Sequence, residues 1–486
     1  MQTFNKRILA VGLAGLVAAV VVACGGGGGA NFAGIDRLGV TNGTVTGFGS
    51  VFVNGVEYST TGATFSIDDA PGTQDQLEVG QQVTVQWSSN SVGGTRRADA
   101  VFYDDTVEGP ITALSIDPVT QSFVVLGQTI IVDANTSFAS PLFDIESLAD
   151  GNIVEVSGLL ANAAGGVVVR ATRIELKNPG GEIEIRGVVA NRTATTFAIN
   201  GQVVSTPPGT VIDAPGGVIV NGNFVEARGT VVNGASQLVA TTVQLEDGEE
   251  SSGSPGDEAE VEGYVTAFTN GLTFSVSGIP VQSNVIATGG TVALGAKVRV
   301  KGTVGGAGTI VATEVQVRDG ASGSAVDTRI AAYVDSVNPA GGQLVLLGVT
   351  VQIDANTRLE DQSVADVREF SLADIVAGNN TDFVEIRGVA QPNNTVRATL
   401  VQRQEPDEQG ELRGPLASLS DPNFSILGVP VQTDGFTEFF DDVGDELLPE
   451  EFFAGAVAGD ELNVKFIPNL PGASTPILAD EVQIEN

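Results

Sequence analysis

The sequence predicts an all-β protein made of six tandem repeats, each folding as a small five-stranded barrel. Glycine is abundant, with 62 of 486 residues, and valine-rich alternation recurs along the whole chain. Long segments with a 3.6-residue period are scarce, so the pattern is typical of many short strands joined by turns. The third observation is an internal repeat, which decides the architecture.

Three landmarks recur in constant order along the chain. The first is a hairpin glycine, and the successive spacings of 72, 74, 77, 70 and 80 residues define repeats of about 70–80 residues. The second is a strand ending in glycine, as in "DGNIVEVSG" and "NTDFVEIRG". The third is an alanine-containing strand, as in "ATRIEL" and "ATLVQR". The hairpin glycines are Gly55, Gly127, Gly201, Gly278, Gly348 and Gly428.

The order of elements within one repeat predicts the barrel type. The second repeat contains three predicted strands, a short helical candidate "LFDIESLAD", and two further strands. This is the order of a five-stranded OB-type barrel. The helical segment varies among repeats, from "LPEEFFAGAVAG" in the sixth to "APGGVIVNG" in the third. Asn54-Gly55 and Asn200-Gly201 predict type I′ hairpins between strands two and three, because both central residues of that turn need positive φ.

Composition shifts divide the chain into predicted units. The repeats are placed at 39–106, 107–179, 180–246, 258–320, 325–404 and 405–486, with an acidic linker at 247–257. A weaker linker, "QEPDEQGE" at 404–411, would leave blocks of three, two and one repeats. A lone barrel of this size buries only about 60% of its surface and is marginally stable, so we expect neighbouring barrels to support one another.

The N-terminus predicts export and a lipid anchor. Lys6 and Arg7 precede an apolar run that ends at Ala23, which is the pattern of a signal peptide over residues 1–23. The segment Val21–Cys24 resembles the lipobox of bacterial lipoproteins, and that resemblance implies cleavage before Cys24 and lipidation of its thiol. Residues 24–38 would then form a lipidated, glycine-rich tether. The alternative is an uncleaved helix with an inert, buried Cys24.

Charge and composition limit the classes of function. Removal of Lys6 and Arg7 leaves 21 basic and 59 acidic residues, a net charge of −38, which repels nucleic acid. The chain has no histidine and a single cysteine. The common bases, nucleophiles and transition-metal ligands are therefore missing, and we expect no enzymatic activity, no catalytic residues, no cofactor and no metal. The alternative is a carboxylate-dependent hydrolase of envelope glycans, which needs two facing acids about 5 to 10 Å apart.

Aromatic residues offer one candidate binding surface. A phenylalanine lies four residues before the hairpin glycine in four repeats, where it would form either a stacking platform or barrel core. We favour core, because leucine and valine occupy the position in the other two repeats. Trp87 replaces the glycine that ends strand four. It would either be exposed and contact a ligand or pack between barrels, and we favour packing between barrels. The residues at the first position are Phe123, Phe197, Phe274, Phe424, Leu344 and Val51.

Two recurring polar segments, "VDANTSF" and "QIDANTRL", offer a candidate calcium site. Asp133 and Asn135 in the first, and Asp354 and Asn356 in the second, carry oxygens of the kind that bind Ca²⁺. The spacing lacks the remaining ligands of a calcium loop. We therefore interpret both segments as Asx-turns that follow strand three.

The first repeat resembles a known family. "GTVTGFGSVFVNGVEYSTTGATFSID", "LEVGQQVTV" and "VEGPITAL" resemble the bacterial domain of unknown function 5666, found in tandem on exported lipoproteins, with the strongest match over residues 43–114. The resemblance implies architecture and carries no catalytic residues. We expect a non-enzymatic, membrane-anchored envelope lipoprotein that acts as a spacer or binding surface. Its expected partners are the membrane, through Cys24, and an envelope protein. The outer membrane is favoured over the inner.

Overall fold

A computed structural model describes residues 37–89, 96–118, 120–142, 144–163, 166–234, 236–245, 253–319, 327–378, 381–406, 409–442, 444–468 and 476–485. Within these residues the chain is almost entirely β-strand, and the strands fall into six groups that we call barrels 1 to 6 in chain order. Each group corresponds to one repeat of the sequence.

The strands of the first three barrels follow the predicted order. Barrel 1 contains β1 (Arg37–Phe48), β2 (Val51–Val53), β3 (Val56–Ser59), β4 (Thr64–Ile67), β5 (Ala70–Gly72), β6 (Gln82–Ser89) and β7 (Arg96–Tyr103). Barrel 2 contains β8 (Val107–Pro110), β9 (Ser122–Val125), β10 (Gln128–Ile131), β11 (Ser137–Phe138), β12 (Ile153–Ala163) and β13 (Gly166–Lys177). Barrel 3 contains β14 (Ile183–Ala190), β15 (Thr196–Ile199), β16 (Gln202–Ser205), β17 (Val211–Asp213), β18 (Phe224–Val232) and β19 (Leu238–Leu245).

The last three barrels repeat this order. Barrel 4 contains β20 (Glu258–Asn270), β21 (Thr273–Val276), β22 (Ile279–Ser283), β23 (Lys297–Val304) and β24 (Ile310–Asp319). Barrel 5 contains β25 (Asp327–Asn338), β26 (Gln343–Leu346), β27 (Val349–Gln352), β28 (Arg358–Asp361), β29 (Phe383–Gln391) and β30 (Thr395–Gln404). Barrel 6 contains β31 (Gly410–Ser420), β32 (Asn423–Ile426), β33 (Val429–Gln432), β34 (Glu438–Phe440), β35 (Glu446–Leu447), α1 (Pro449–Gly455), β36 (Glu461–Phe466) and β37 (Ile477–Ile484).

Each barrel closes through the same five pairings. In barrel 5, β25 pairs antiparallel with β26 and β29, β26 with β27, and β29 with β30, while β27 runs parallel to β30. Barrel 2 completes the circuit with a single bridge between Ile111 and Val125. The order one-two-three-five-four around the barrel is that of an OB-type barrel, so the predicted fold class is confirmed.

The hairpins between strands two and three follow the predicted turn chemistry. Asn54 and Gly55 have φ values of 51° and 74°, and Asn200 and Gly201 have 45° and 94°. Both residues of each turn therefore adopt the positive φ that a type I′ turn requires. The other four hairpins share this geometry, although leucine or serine precedes the glycine there.

The predicted helical segment is short and variable. Only barrel 6 forms an α-helix there, Pro449–Gly455, while barrels 1, 3 and 5 form single 3₁₀ turns. In barrel 2 the described residues of "LFDIESLAD" form turns instead of the expected helix. The Ser147 hydroxyl and the Asp144 carboxylate bond to each other's backbone groups, which offers this segment a local alternative to the helix.

The strand-four landmark marks a β-bulge in every barrel. The register shifts at the landmark in all six barrels, where it lies opposite the landmark alanine of strand five, for example Gly158 opposite Ala171. A Cβ on Gly302 would lie 2.1 Å from the carbonyl oxygen of Val311, so the backbones approach too closely for a side chain directed that way. Glycine is therefore a steric requirement of the bulge in barrels 2 to 5, whereas barrels 1 and 6 form the bulge with Trp87 and Phe466 at this position.

The barrels associate in three pairs through their first strands. In barrels 1 and 4, β1 pairs in parallel with β20. In barrels 2 and 3, β8 pairs antiparallel with β14, and in barrels 5 and 6 β25 pairs antiparallel with β31. The three pairs form sheets of 12, 12 and 13 strands. The expected blocks of three, two and one repeats are therefore wrong, because strand edges pair across the acidic linker and across "QEPDEQGE".

Candidate functional site

The chemically distinctive groups of this protein lie where barrels meet. In barrels 2, 3 and 5, a glutamate on strand four lies three residues before the bulge glycine and is almost fully buried. These glutamates are Glu155, Glu226 and Glu385. A buried carboxylate requires a compensating charge or hydrogen-bond donors, so each junction has to supply one.

The junction of barrels 5 and 6 supplies arginines. The Arg329 guanidinium lies 3.1 Å from Glu385, 2.7 Å from Glu411 and 3.3 Å from Asp144. Arg387 pairs with the other oxygen of Glu385. Burial alone would raise the pKa of Glu385, but the two arginines outweigh it and lower the pKa to about 2. At this junction the buried charge of Glu385 is therefore compensated by two arginines.

The junction of barrels 2 and 3 is more acidic. Arg228 lies 3.0 Å from Glu184 and also pairs with Glu226, while Arg186 lies 3.1 Å from Asp104. Beside this network, Asp105, Glu108 and Glu155 bring carboxylate oxygens within 4.8 Å of one another. We call these three residues the acidic cluster. Burial raises the pKa of Asp105, and repulsion from Glu155 adds to that effect.

The acidic cluster does not match the geometry of a glycosidase. Retaining and inverting enzymes need a gap between the carboxyl groups of roughly 5 Å or more, to admit the sugar or a water. The cluster is tighter, and Asp105 and Glu155 are only 3% and 4% exposed. The hydrolase hypothesis gains no support from these residues.

Buried contacts also join the three pairs to one another. Arg173 of barrel 2 lies 2.7 Å from Glu360 of barrel 5 and donates to the carbonyl oxygen of Val79 in barrel 1. Arg358 of barrel 5 donates to the carbonyl oxygen of Thr172 in barrel 2 over 2.7 Å. Three barrels from three different pairs therefore meet at one buried ionic centre.

A polar cavity of about 240 Å³ lies beside this centre. Its walls come from barrels 1, 2, 4 and 5, and the charged residues among them are Lys297, Arg318, Arg358, Arg397, Glu262 and Asp354. Small-molecule sites are usually lined mainly by apolar side chains. This cavity is lined by charged and amide groups, so it resembles a hydrated junction more than a ligand pocket.

The phenylalanines that precede the hairpin glycines are core residues. Phe123, Phe197, Phe274 and Phe424 are buried, as are Leu344 and Val51 at the same position. The stacking-platform alternative is therefore excluded for these six residues, and the prediction of barrel core is confirmed.

Trp87 is buried at the edge of barrel 1, 2% exposed. Its indole nitrogen donates to Thr41, and the Arg96 guanidinium lies 4.2 Å from its ring centre. Arg96 in turn lies 3.3 Å from Glu260 of barrel 4. Trp87 thus belongs to the core of barrel 1 and is linked to barrel 4 through Arg96, so the prediction of packing between barrels is met only in part. Because the side chain is buried, the alternative of an exposed ligand contact is wrong.

The polar segments after strand three are Asx-turns, as predicted. The carboxylate of Asp133 accepts the backbone N–H of Asn135 over 2.8 Å, and Asp354 accepts that of Asn356 over 2.7 Å. Asp133 is also paired with Arg170. Cys24, the predicted lipidation site, lies outside the described residues.

Barrel 3 carries a group of exposed apolar side chains. Val188 and Phe224 lie opposite each other on β14 and β18, and both are exposed. Val218 and Val220, in the segment leading into β18, are exposed as well. We call these four residues the barrel 3 patch. Neighbouring exposed apolar side chains, such as Val188 and Phe224, are a feature of interaction surfaces.

The ionic junctions were not predicted from the sequence, although the strand-four segments contain a signal for them. "IVEVSG", "FVEARG" and "FVEIRG" each place a glutamate between apolar residues. Alternation alone assigns such a residue to the solvent face of a half-buried strand. Only the packing of a second barrel onto that face converts the same glutamate into a buried one.

Comparison with known proteins supports the repeat architecture. The family described as "Domain of unknown function (DUF5666)" matches six successive segments, at residues 40–101, 108–175, 186–244, 262–316, 332–402 and 413–482. These segments cover more than half of the chain. No curated protein matches the sequence.

Proposed function

The chain belongs to the DUF5666 family, and from its architecture we propose that it is a non-enzymatic, lipid-anchored protein of the bacterial envelope. In this proposal the six barrels form a rigid body that acts as a spacer and presents a binding surface. The outer membrane is the favoured location. The main support for the proposal is that the barrels associate through paired strands and buried ion pairs.

Rigidity follows from how the barrels are joined. A string of independent modules would have polar, solvated surfaces between them. Here first strands pair between barrels, and the Arg173–Glu360 ion pair joins residues 187 positions apart with both side chains buried. An assembly held in this way keeps a fixed separation between its ends, which is what a spacer requires.

The barrel 3 patch supports a protein partner. Apolar side chains such as Val188 and Phe224 suit a protein surface, whereas sugars favour exposed tyrosine and tryptophan. OB-type barrels usually receive extended ligands on the face of strands two and three, whereas Val188 and Phe224 lie on strands one and four. We therefore propose that an envelope protein binds barrel 3 across strands one and four.

The anchor is tested through its cysteine. Cells expressing the chain are fed a fatty-acid analogue, and we expect wild-type protein to be labelled and Cys24→Ala to be unlabelled and unprocessed. Ser50→Ala, which changes an exposed hydroxyl and leaves the signal intact, is the control. Labelling that persists in Cys24→Ala would refute the anchor. Among the described residues no helix has the length and hydrophobicity to cross a bilayer.

The non-enzymatic role is tested by turnover. Purified protein is incubated with peptidoglycan and with envelope polysaccharide, and we expect no cleavage products. Reproducible cleavage that is lost on replacing one carboxylate would establish the hydrolase instead.

A further inference from the structure

The acidic cluster contains a buried carboxylate with one oxygen that has no hydrogen-bond partner among the described residues. Asp105 is only 3% exposed, and within the described part of the chain its Oδ1 atom receives no hydrogen bond. The same part of the chain offers no donor to the buried Oδ1 atom of Asp68, in the neighbouring turn of barrel 1. Buried carboxylates normally have a hydrogen-bond or ionic partner. Arg186 lies near enough to lower the pKa of Asp105, but it forms its ion pair with Asp104, so the position can accept a further positive charge.

The backbone holds this carboxylate in place from both sides. The N–H of Asp68 donates to the carbonyl oxygen of Tyr103, just before Asp105. The N–H of Thr106, just after it, donates to the carbonyl oxygen of Val156 in barrel 2. Asp105 is therefore fixed at the point where the chain passes from barrel 1 to barrel 2.

Neighbouring strands add further negative charge. Glu108 lies directly opposite Glu155 on one side and Glu184 on the other, so three glutamates form a row across β12, β8 and β14. Like charges opposite one another in a sheet are destabilising. Lys177 pairs with Glu155, and Arg228 with Glu184, which leaves Glu108 and Asp105 without an ion pair of their own in the described residues.

The equivalent junction of barrels 5 and 6 shows what is missing. Glu385 and Glu155 both lie three residues before the bulge glycine, so the two residues are equivalent. On the neighbouring first strand, Ala331 faces Glu385 and Glu108 faces Glu155, so Ala331 is the equivalent of Glu108. Arg329, two residues before Ala331, corresponds to Thr106. The junction of barrels 2 and 3 has therefore lost the central arginine and gained a carboxylate.

We propose that a calcium ion binds the acidic cluster through Asp105, Glu108 and Glu155 and takes the place that Arg329 holds in barrels 5 and 6. Oxygen ligands without histidine or cysteine select hard divalent cations. Calcium accepts irregular, carboxylate-rich coordination, whereas magnesium demands near-octahedral geometry and retains its waters. Glu108, which is only partly buried, provides the solvent-facing side of the site.

The bound ion would fasten the connection that follows barrel 1 to the strands of barrel 2. Asp105 lies in the connection between them, while Glu108 and Glu155 lie on strands of barrel 2. Calcium would therefore strengthen the rigid body, and this inference holds whether or not the chain is lipid-anchored.

The test is calcium titration of the full-length chain, purified in detergent and stripped with a chelator. We expect one equivalent of Ca²⁺ to bind with a dissociation constant of about 10⁻⁴ M, in the range of extracellular calcium modules. We also expect Ca²⁺ to raise the unfolding temperature relative to chelator, because it binds only the folded state. Mg²⁺ should bind more weakly.

Three variants distinguish a cluster that binds calcium from one in which a buried carboxyl group is simply protonated. Asp105→Asn and Glu108→Ala, the latter copying Ala331, should weaken calcium binding by about tenfold or more and abolish the calcium-dependent shift in unfolding temperature. Asp75→Asn removes an exposed carboxylate of barrel 1 and should bind as wild type does. The proposal is overturned if wild type binds no calcium, if Mg²⁺ binds more tightly, or if Asp105→Asn binds as tightly as Asp75→Asn.

Discussion

Arg173 of barrel 2 and Glu360 of barrel 5 form a buried ion pair, with 2.7 Å between Nη1 and Oε1. Both side chains are less than one tenth exposed, and Gln402 donates to the other carboxylate oxygen over 2.8 Å. In the part of the chain that the structure describes, these two barrels share no strand pairing, so the pair reports directly on the assembly.

Breaking this pair from one side should destabilise the assembly strongly. Glu360→Gln leaves the Arg173 guanidinium buried with less compensating charge, and we expect a loss of about 3–5 kcal/mol in the free energy of unfolding. Urea unfolding monitored by circular dichroism measures it. The double variant Arg173→Met/Glu360→Leu removes both charges and should recover most of the loss. A single variant as stable as wild type would show that the pair does not form.

Stability should fall in acid through Glu385. The folded-state pKa of about 2 lies below the ordinary value of 4.5, so Glu385 contributes stability above pH 4.5 that is lost as the pH falls towards 2. Glu385→Gln should lower stability at pH 7 and flatten this part of the pH profile. Thermal unfolding across pH 2 to 7 measures the pH dependence of stability. The control is Glu146→Gln, which changes a half-exposed carboxylate. An unchanged slope in Glu385→Gln would contradict the ion network.

The strand-four bulge of barrel 4 should not tolerate a side chain at Gly302, although barrels 1 and 6 carry Trp87 and Phe466 at the equivalent position. Gly302→Ala places a methyl group 2.1 Å from the Val311 carbonyl oxygen, and relief of the clash should cost about 1–3 kcal/mol. Gly271→Ala, in the same barrel, meets no atom within 4 Å and has an ordinary φ, so it should be nearly neutral. Chemical denaturation measures the free energy of unfolding of both variants. Equal stability would refute the steric account of the landmark.

Trp87 should report a buried indole. It is the only tryptophan and is 2% exposed, so its fluorescence should be blue-shifted and weakly quenched by acrylamide in the folded protein. Unfolding should shift the emission to that of a solvated indole. Strong quenching under native conditions would place Trp87 at the surface and contradict its packing beside Arg96.

The repeat landmarks predicted the barrels because they encode local geometry. Hairpin glycines such as Gly201 need positive φ, and bulge glycines such as Gly302 need close backbone approach, so both requirements are visible in the sequence. The helix in barrel 6 was predictable for the same reason, since the helical pattern of "LPEEFFAGAVAG" is local.

The pairing of barrels was not predictable in this way. Strand pairing between Gly39 and Glu258 depends on which barrel edge is free after the chain has folded, and the sequence separation gives no indication of it. The buried Glu385 follows from that packing and not from its own segment. The prediction that the acidic linker divides the repeats into separate blocks was wrong. A linker determines only which barrels are consecutive in the chain, and it does not determine which barrels contact one another.

The most direct test of the assembly is cleavage of the linker. A specific protease site inserted between Ser251 and Ser252 cuts the chain between barrel 3 and barrel 4, and the products are passed over a size-exclusion column without denaturant. Since β1 pairs with β20 and barrel 2 contacts barrel 5, we predict that the two fragments elute together at the position of the uncut protein. Separate elution of folded fragments would contradict the account of a single rigid body.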